Sequence, residues 1–489
     1  MKIFTMVAMT KNNQMRLDMT SGSPYALLLR FALPLLAGNL LQQLYNVVDS
    51  IIVGQYVGEE ALAAVGTSFP VMFLFVSLFA GISMGAAIVI AQYFGAKNYE
   101  RLQHTVDTIY RAFIVSSVVL SAAGYFIAEP MLRLINVPDA ALVHAVPYLQ
   151  IIFLGMIFVF GYNVNAGILQ GMGDSKSLLM YLSVAVVSNI VLDLLFVAVL
   201  KMGTAGAALA TVIAQMVAFA IGVWHINKKH ALVQIRIKGG VMDWKILRDA
   251  IRLGIPAGLG NMSYSLGTML LQNLVNSYGT AFMAGFAAAS KIDAFAFLPM
   301  LTLGVAITTY VGQNVGAAKI DRVTDGVKAA LVISAVTTLI MVPLSLIFGP
   351  SLIGLFNSNP DVIAAGMAYL TRMLPYIYLL AIMMILSSTL RGAGQAVIPL
   401  FFQMLSLWVA RVPLSYLFAH YFGRDNMFYS FPIGWVLGLS FAVPYFLRGR
   451  WKRRIVTASG IGGGSLAVSD EADGEEREEE SGAGIDHQV

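Results

Sequence analysis

Twelve stretches, each of about 18 or more mostly apolar residues, follow one another along this chain, and a bilayer is the solvent that suits them. They run approximately 26–56, 63–94, 106–128, 142–168, 177–200, 204–226, 248–277, 284–313, 327–349, 363–390, 396–421 and 430–448. Only 12% of residues are charged, against about 25% in a soluble protein. Strand-type alternation is absent, so the expected class is an all-α integral membrane protein. Cysteine is absent too, which removes disulfides, thiolate metal sites and cysteine nucleophiles. The first 23 residues have no signal-peptide core and read as a flexible lead, leaving insertion to the first span.

An even number of spans puts both termini on one side, and loop charges say which. One set of loops carries Lys97, Arg101, Lys176, Lys228, Lys229, Lys245, Lys319, Arg322, Arg391 and the run "RGRWKRR"; the other offers Arg133, Lys201 and Arg424. The positive-inside rule therefore expects cytoplasmic termini and an inner-membrane location. The tail from 450 turns Gly-rich and then acidic, with a net charge of −8 beyond Gly460, and is expected to be disordered. Removing that charge from the formal +5 leaves +13 on the body, which suits anionic lipid as partner and gives no reason to invoke nucleic acid.

The chain also repeats itself. "RFALPLLAGN" (30–39) matches "RLGIPAGLGN" (252–261), and "AQYFGAKN" (91–98) matches "GQNVGAAK" (312–319). "VPDAALVHAVPYL" falls on "NPDVIAAGMAYL", and "LQGMGD" on "LRGAGQ", all at an offset near 221. The expected plan is two six-helix bundles, 24–226 and 247–449, joined by a basic linker at 227–246. Six is even, so the copies are parallel and related by a pseudo-two-fold axis along the membrane normal, a plan used by secondary transporters.

Polar residues inside the spans mark candidate sites. Asn39, Gln42, Asn46 and Asp49 recur at helical spacing on the first span. An acid at mid-membrane costs roughly 2.5 to 3.5 kcal/mol on the insertion scale, so Asp49 points to function. Asn189 and Asp193 lie one turn apart on the fifth span, and Thr211 on the sixth. Together Asp49, Asn189, Asp193 and Thr211 offer hard oxygens for a small alkali cation, with Asp49 and Asp193 as the ligands if it is sodium. The same pair could hold a proton instead. The second half lacks this set, since Asp49 corresponds to Leu271, and carries amides at Gln272, Asn273 and Asn276. With Gln42, Asn46 and Asp293 these are the candidate cavity residues. Lys291 and Arg411 are charged residues without an assigned role.

Taken in order, the "P...N...Q...D" pattern of helix 1, the "QYFGAKN" and "QNVGAAK" pair, the "LQGMGD" and "LRGAG" pair and "ASKIDAFAFLPM" resemble the multidrug and toxic compound extrusion family over residues 24 to about 448. The resemblance implies a monomeric antiporter that exports lipophilic, often cationic organic compounds in exchange for sodium or protons, with the cation site in the N-terminal half and no cofactor. The wider group contains lipid-linked-precursor flippases, which supply the alternative function. No phosphate-binding loop is present, no catalytic motif is visible, and the six histidines, at 104, 144, 225, 230, 420 and 487, stand at no metal-motif spacing, so an enzyme is not expected.

Overall fold

Helix boundaries follow the local chemistry of the chain. Pro24 and Pro360 open helices at the first turn, where a missing N–H costs nothing. Asn98, Asp174, Asp243 and Asn359 cap helix starts by accepting backbone N–H groups through their side chains. In a computed structural model, which describes residues 17–135, 137–230, 232–236 and 239–453, these signals delimit twelve rods.

The first six are α1 (Pro24–Tyr56), α2 (Glu59–Gly95), α3 (Tyr99–Leu134), α4 (Asp139–Leu154 and Met156–Gly171), α5 (Ser175–Asp193, continued by a π-helical turn, Leu194–Val199) and α6 (Gly203–Lys229). The second six are α7 (Trp244–Asn276), α8 (Thr280–Gly316), α9 (Ile320–Gly354), α10 (Pro360–Met373 and Ile377–Gly392), α11 (Val397–Met404 and Val412–Tyr421, around a π-helical turn, Leu405–Arg411) and α12 (Ser430–Leu447). The two-bundle helical architecture expected from the repeat is present, with two departures from the sequence reading. The fourth span is not one straight rod: its two segments are bent by 51° at Gly155, whose missing side chain leaves room for Val212 of α6. The seventh is as long as the others but too polar to qualify, so among the described residues ten rods, or eleven with the bent pair, are apolar enough to cross a bilayer on their own. Helices such as α9 present Val332, Val336, Ile340 and Ile347 outward, as a rod solvated by lipid does.

The repeat shows in how the lobes touch. Gly95 of α2 lies where a β-carbon would be 1.9 Å from the Gln313 carbonyl oxygen, and Gly316 of α8 stands in the same relation to the Gln92 carbonyl. Gln92 Nε2 donates to the Gly392 carbonyl and Gln313 Nε2 to the Gly171 carbonyl, both at 3.1 Å. Each contact has a partner one repeat away, so the two bundles cross about a pseudo-two-fold at the end bearing the basic loops. The α2–α7 seam is also closed, by Gly81 and Gly85 against Gly254 and Gly258. The opposite seam, between α1 and α8, parts into a cavity.

Residues 17–23 of the lead are pinned. Met19 N donates to Gln313 Oε1 at 2.9 Å, Lys319 Nζ to the Thr20 carbonyl at 2.9 Å and Arg322 to the Gly22 carbonyl at 2.9 Å. Residues 17–23, expected as part of a flexible lead, are therefore held in place, and residues 1–16 lie outside the described residues. The linker runs along the end of α3: Arg101 pairs with Asp243 at 2.8 Å, and Gln103 donates to the Gln234 carbonyl at 2.7 Å. Of the tail, Trp451 stacks on Phe446, and residues 454–489 lie outside the described set.

Candidate functional site

The four residues expected to form a cation site come together inside the first lobe. Asp193 and Asn189 are fully buried on α5, and the Asp193 carboxyl meets the Asp49 carboxyl of α1 within hydrogen-bonding reach. With its amide oriented toward α5, Asn189 donates to Asp193 Oδ2 at 2.8 Å and accepts from the Thr211 N–H at 3.3 Å. Asp49 Oδ1 and Asp193 Oδ1 are buried without a hydrogen-bond partner among the described residues, as is Gln215 Oε1 one turn along α6 from Thr211. No Lys or Arg among the described residues pairs with either acid. Two facing carboxyls in so dry a place repel each other when both are charged, and their unsatisfied oxygens are left without a neutralising partner among the described side chains.

Tyr45 and Tyr148 complete the surroundings. Tyr45 stands one turn before Asp49 and meets Thr211, and Tyr148, buried on α4, lies in the neighbourhood of both acids. The helical period of α1 could have found Tyr45, whereas nothing in the sequence singles out Tyr148. Beside the acids a hollow of about 10 Å³, room for a single water-sized particle, is lined by Gln42, Tyr45, Asn189, Thr211 and Gln215. The π-helical turn begins directly after Asp193, where one extra residue per turn changes the direction of the side chains that follow.

The cavity residues scatter more widely. A cavity of about 670 Å³ between α1 and α8 is lined by Asn46, Val47, Ile51, Phe295, Leu298 and neighbours, and Lys291 is its charged member. Gln42 instead borders a second, more polar hollow of about 210 Å³ with Asn39 and Asn163. Gln272 donates to Asn276 Oδ1 at 2.7 Å along α7, while Asn273 on the same helix is exposed; none of the three lines the α1–α8 cavity.

Asp293 turns away from that cavity into the second lobe, where the Tyr369 hydroxyl donates to it at 3.0 Å. Arg411, at the end of the other π-helical turn, lies 3.6 Å from the centre of the Phe431 ring and faces the same carboxyl. The two lobes thus carry different chemistry: an acid pair in the first, an acid, a guanidinium and aromatic rings in the second.

A family model described as MatE matches residues 34–195 and 256–417, two stretches of equal length that lie one repeat apart. The chain is 32% identical to "Probable multidrug resistance protein YpnP" of Bacillus subtilis, over 89% of this chain and 97% of that protein. It is 24% identical to the "FAD transporter" of Shewanella oneidensis, over 83% of this chain and 90% of that one. Among solved structures, the crystal structure of MATE in complex with MaL6 superposes with a TM-score of 0.84 at 25% identity, covering 89% of this chain and 98% of that one.

Proposed function

This chain belongs to the MatE family of multidrug efflux transporters, and from that premise we propose that it is a secondary antiporter driven by sodium or protons through Asp49 and Asp193. It is a multi-pass membrane protein and a transporter rather than an enzyme. The observation that carries the coupling role is the facing acid pair with its unpartnered oxygens. A bound cation or proton relieves that pair, and its departure restores the repulsion, so occupancy biases α1 against α5 and α6. A substrate that needs α1 in its other setting then binds with the opposite effect, which is the thermodynamic content of exchange. Thr211 offers a neutral hydroxyl oxygen to a sodium ion, and Asn189, whose amide nitrogen holds Asp193 here, would offer its own oxygen once the amide turns over.

In this reading the basic loops and both termini are cytoplasmic, by the positive-inside rule, so the closed crossing lies on the inner side of the inner membrane and the α1–α8 cavity opens outward. Lipophilic cations fit its mostly apolar wall. The test is efflux of a cationic dye, ethidium, from proteoliposomes under an imposed sodium gradient at constant pH, or a proton gradient without sodium. Dye movement that ignores both gradients would remove the antiporter reading.

Lys291 favours a second reading. It is the charged group lining the α1–α8 cavity, and an exposed ammonium in the wall suits an anionic amphipathic cargo such as a lipid-linked precursor or a nucleotide-like molecule. Lys291→Ala separates the two. For a cationic cargo it should tighten apparent binding by about 3- to 10-fold, because a like charge is removed; for an anionic cargo it should weaken binding by a similar factor. Competition for efflux by cationic and anionic amphiphiles reads the sign.

A further inference from the structure

Outside the antiport machinery, three metal-ligating side chains converge at the end of the first lobe that bears the basic loops. Asp174 caps the start of α5, His225 lies in the last turns of α6, and His230 follows that helix at the head of the linker. All three are buried, with His225 only 1% exposed, and one ligand atom from each lies within 4.8 Å of the others. His230 Nε2 is 3.3 Å from Asp174 Oδ2. Ser177 adds a hydroxyl, donating to Asp174 Oδ2 at 2.7 Å and standing 3.2 Å from His225 Nε2.

From this geometry we propose that Asp174, His225 and His230 form a binding site for a divalent transition metal, with zinc the ion best suited to the donors. Two imidazoles and one carboxylate are a set zinc accepts, and they leave a fourth position beside the Ser177 hydroxyl. Ligands held about 2.0 to 2.2 Å from a tetrahedral ion stand roughly 3.3 to 3.6 Å from one another. The His230–Asp174 separation already has that value, and the 4.8 Å limit leaves only a small contraction for His225. A helix cap, a histidine ion pair and the Ser177 hydroxyl would account for Asp174, His230 and the Nε2 of His225, but not for the second ring nitrogen of His225. Its Nδ1 is buried with no hydrogen-bond partner among the described residues.

The sequence concealed this set. Contrary to the sequence reading, His225 and His230 stand at H-x4-H, a spacing found between zinc ligands, but no cysteine pair accompanies it and the third ligand comes from the turn between α4 and α5. A metal here would clasp the base of α5, the end of α6 and the head of the inter-lobe linker. The clasp therefore holds the two helices that carry Asp193 and Thr211.

The test uses the full chain, purified with a tag free of histidine, stripped with chelator, reloaded with zinc and desalted. Elemental analysis should find about one zinc per chain, with affinity at least 10-fold weaker in His225→Gln and in His230→Gln. The tail acids and His487 are common to every variant, so adventitious binding there cancels in the comparison. X-ray absorption at the zinc edge of the wild type should show imidazole scattering at about 2.0 Å, a readout that does not depend on the variants folding. Equal zinc in wild type and both variants, or an all-oxygen shell around the metal, would overturn the site.

Discussion

Asp193→Asn should reduce gradient-driven dye efflux from proteoliposomes by about 100-fold or more, to the rate seen without a gradient, while the protein stays folded. Asparagine fills the same volume and still offers an oxygen to Asn189 Nδ2, which donates to Asp193 at 2.8 Å, so no buried amide is orphaned. What disappears is the second negative charge, and with it the need for a cation or proton between α1 and α5. A 100-fold fall corresponds to about 2.7 kcal/mol of lost coupling, a modest share of what two facing carboxyls in a dry site can command. Asp49→Asn should act alike, and the double variant should be no worse than either single one, because the two groups work as a unit. Sodium-jump and pH-jump arms run on the same vesicles would identify the ion. Wild-type pumping by Asp193→Asn would refute the coupling assignment.

The first span shows how far such a site is legible in sequence and where legibility ends. Spacing alone puts Asn39, Gln42, Asn46 and Asp49 on one face, but ten residues fall about 80° short of three full turns. The stripe accordingly fans out. Asn39 reaches across the lobes to Thr302 at 3.3 Å, Asn46 lines the α1–α8 cavity, and Asp49 turns into the first lobe. Asp49, Asn189, Asp193 and Thr211 could be gathered from sequence because an acid in an apolar run is costly and therefore conspicuous.

Tyr148 escaped notice because an aromatic in a membrane helix carries no such cost. Lys291 and Asp293 show the same limit. Two residues apart on a helix means nearly opposite faces, yet periodicity cannot say which face meets the cavity. The answer depends on how α8 is rotated against α1. The π-helical turn after Asp193 is likewise written in no Pro or Gly, whereas the one that ends at Arg411 runs into Pro413, which lacks the N–H that an α-helical bond would use.

Gly95→Val should drive the transporter out of the conformation seen here. A β-carbon at Gly95 would lie 1.9 Å from the Gln313 carbonyl oxygen, with the Gln313 carbonyl carbon and α-carbon next nearest, so the obstacle is backbone and no side chain can swing aside. Overpacking of this kind costs about 1 to 3 kcal/mol, and it is charged only to the state in which the two lobes cross at this end. Taking about 2 kcal/mol, the ratio of crossed to parted molecules should fall roughly 30-fold. Gly316→Val should do the same, since a β-carbon at Gly316 would lie 1.9 Å from the Gln92 carbonyl oxygen in the matching contact.

The chain contains no cysteine, so Glu100→Cys with Asp321→Cys gives a clean spin-label pair on exposed positions one repeat apart, flanking the crossing. In the parent background the label–label distance distribution should be short and narrow; in either glycine variant its weight should move to longer distances, with transport lost at the same time. Thermal unfolding measured alongside distinguishes a shifted equilibrium from a broken fold. An unchanged distribution in a stable Gly95→Val protein would mean that the crossing is not the moving gate. The paired glycines would then have to be explained as packing alone.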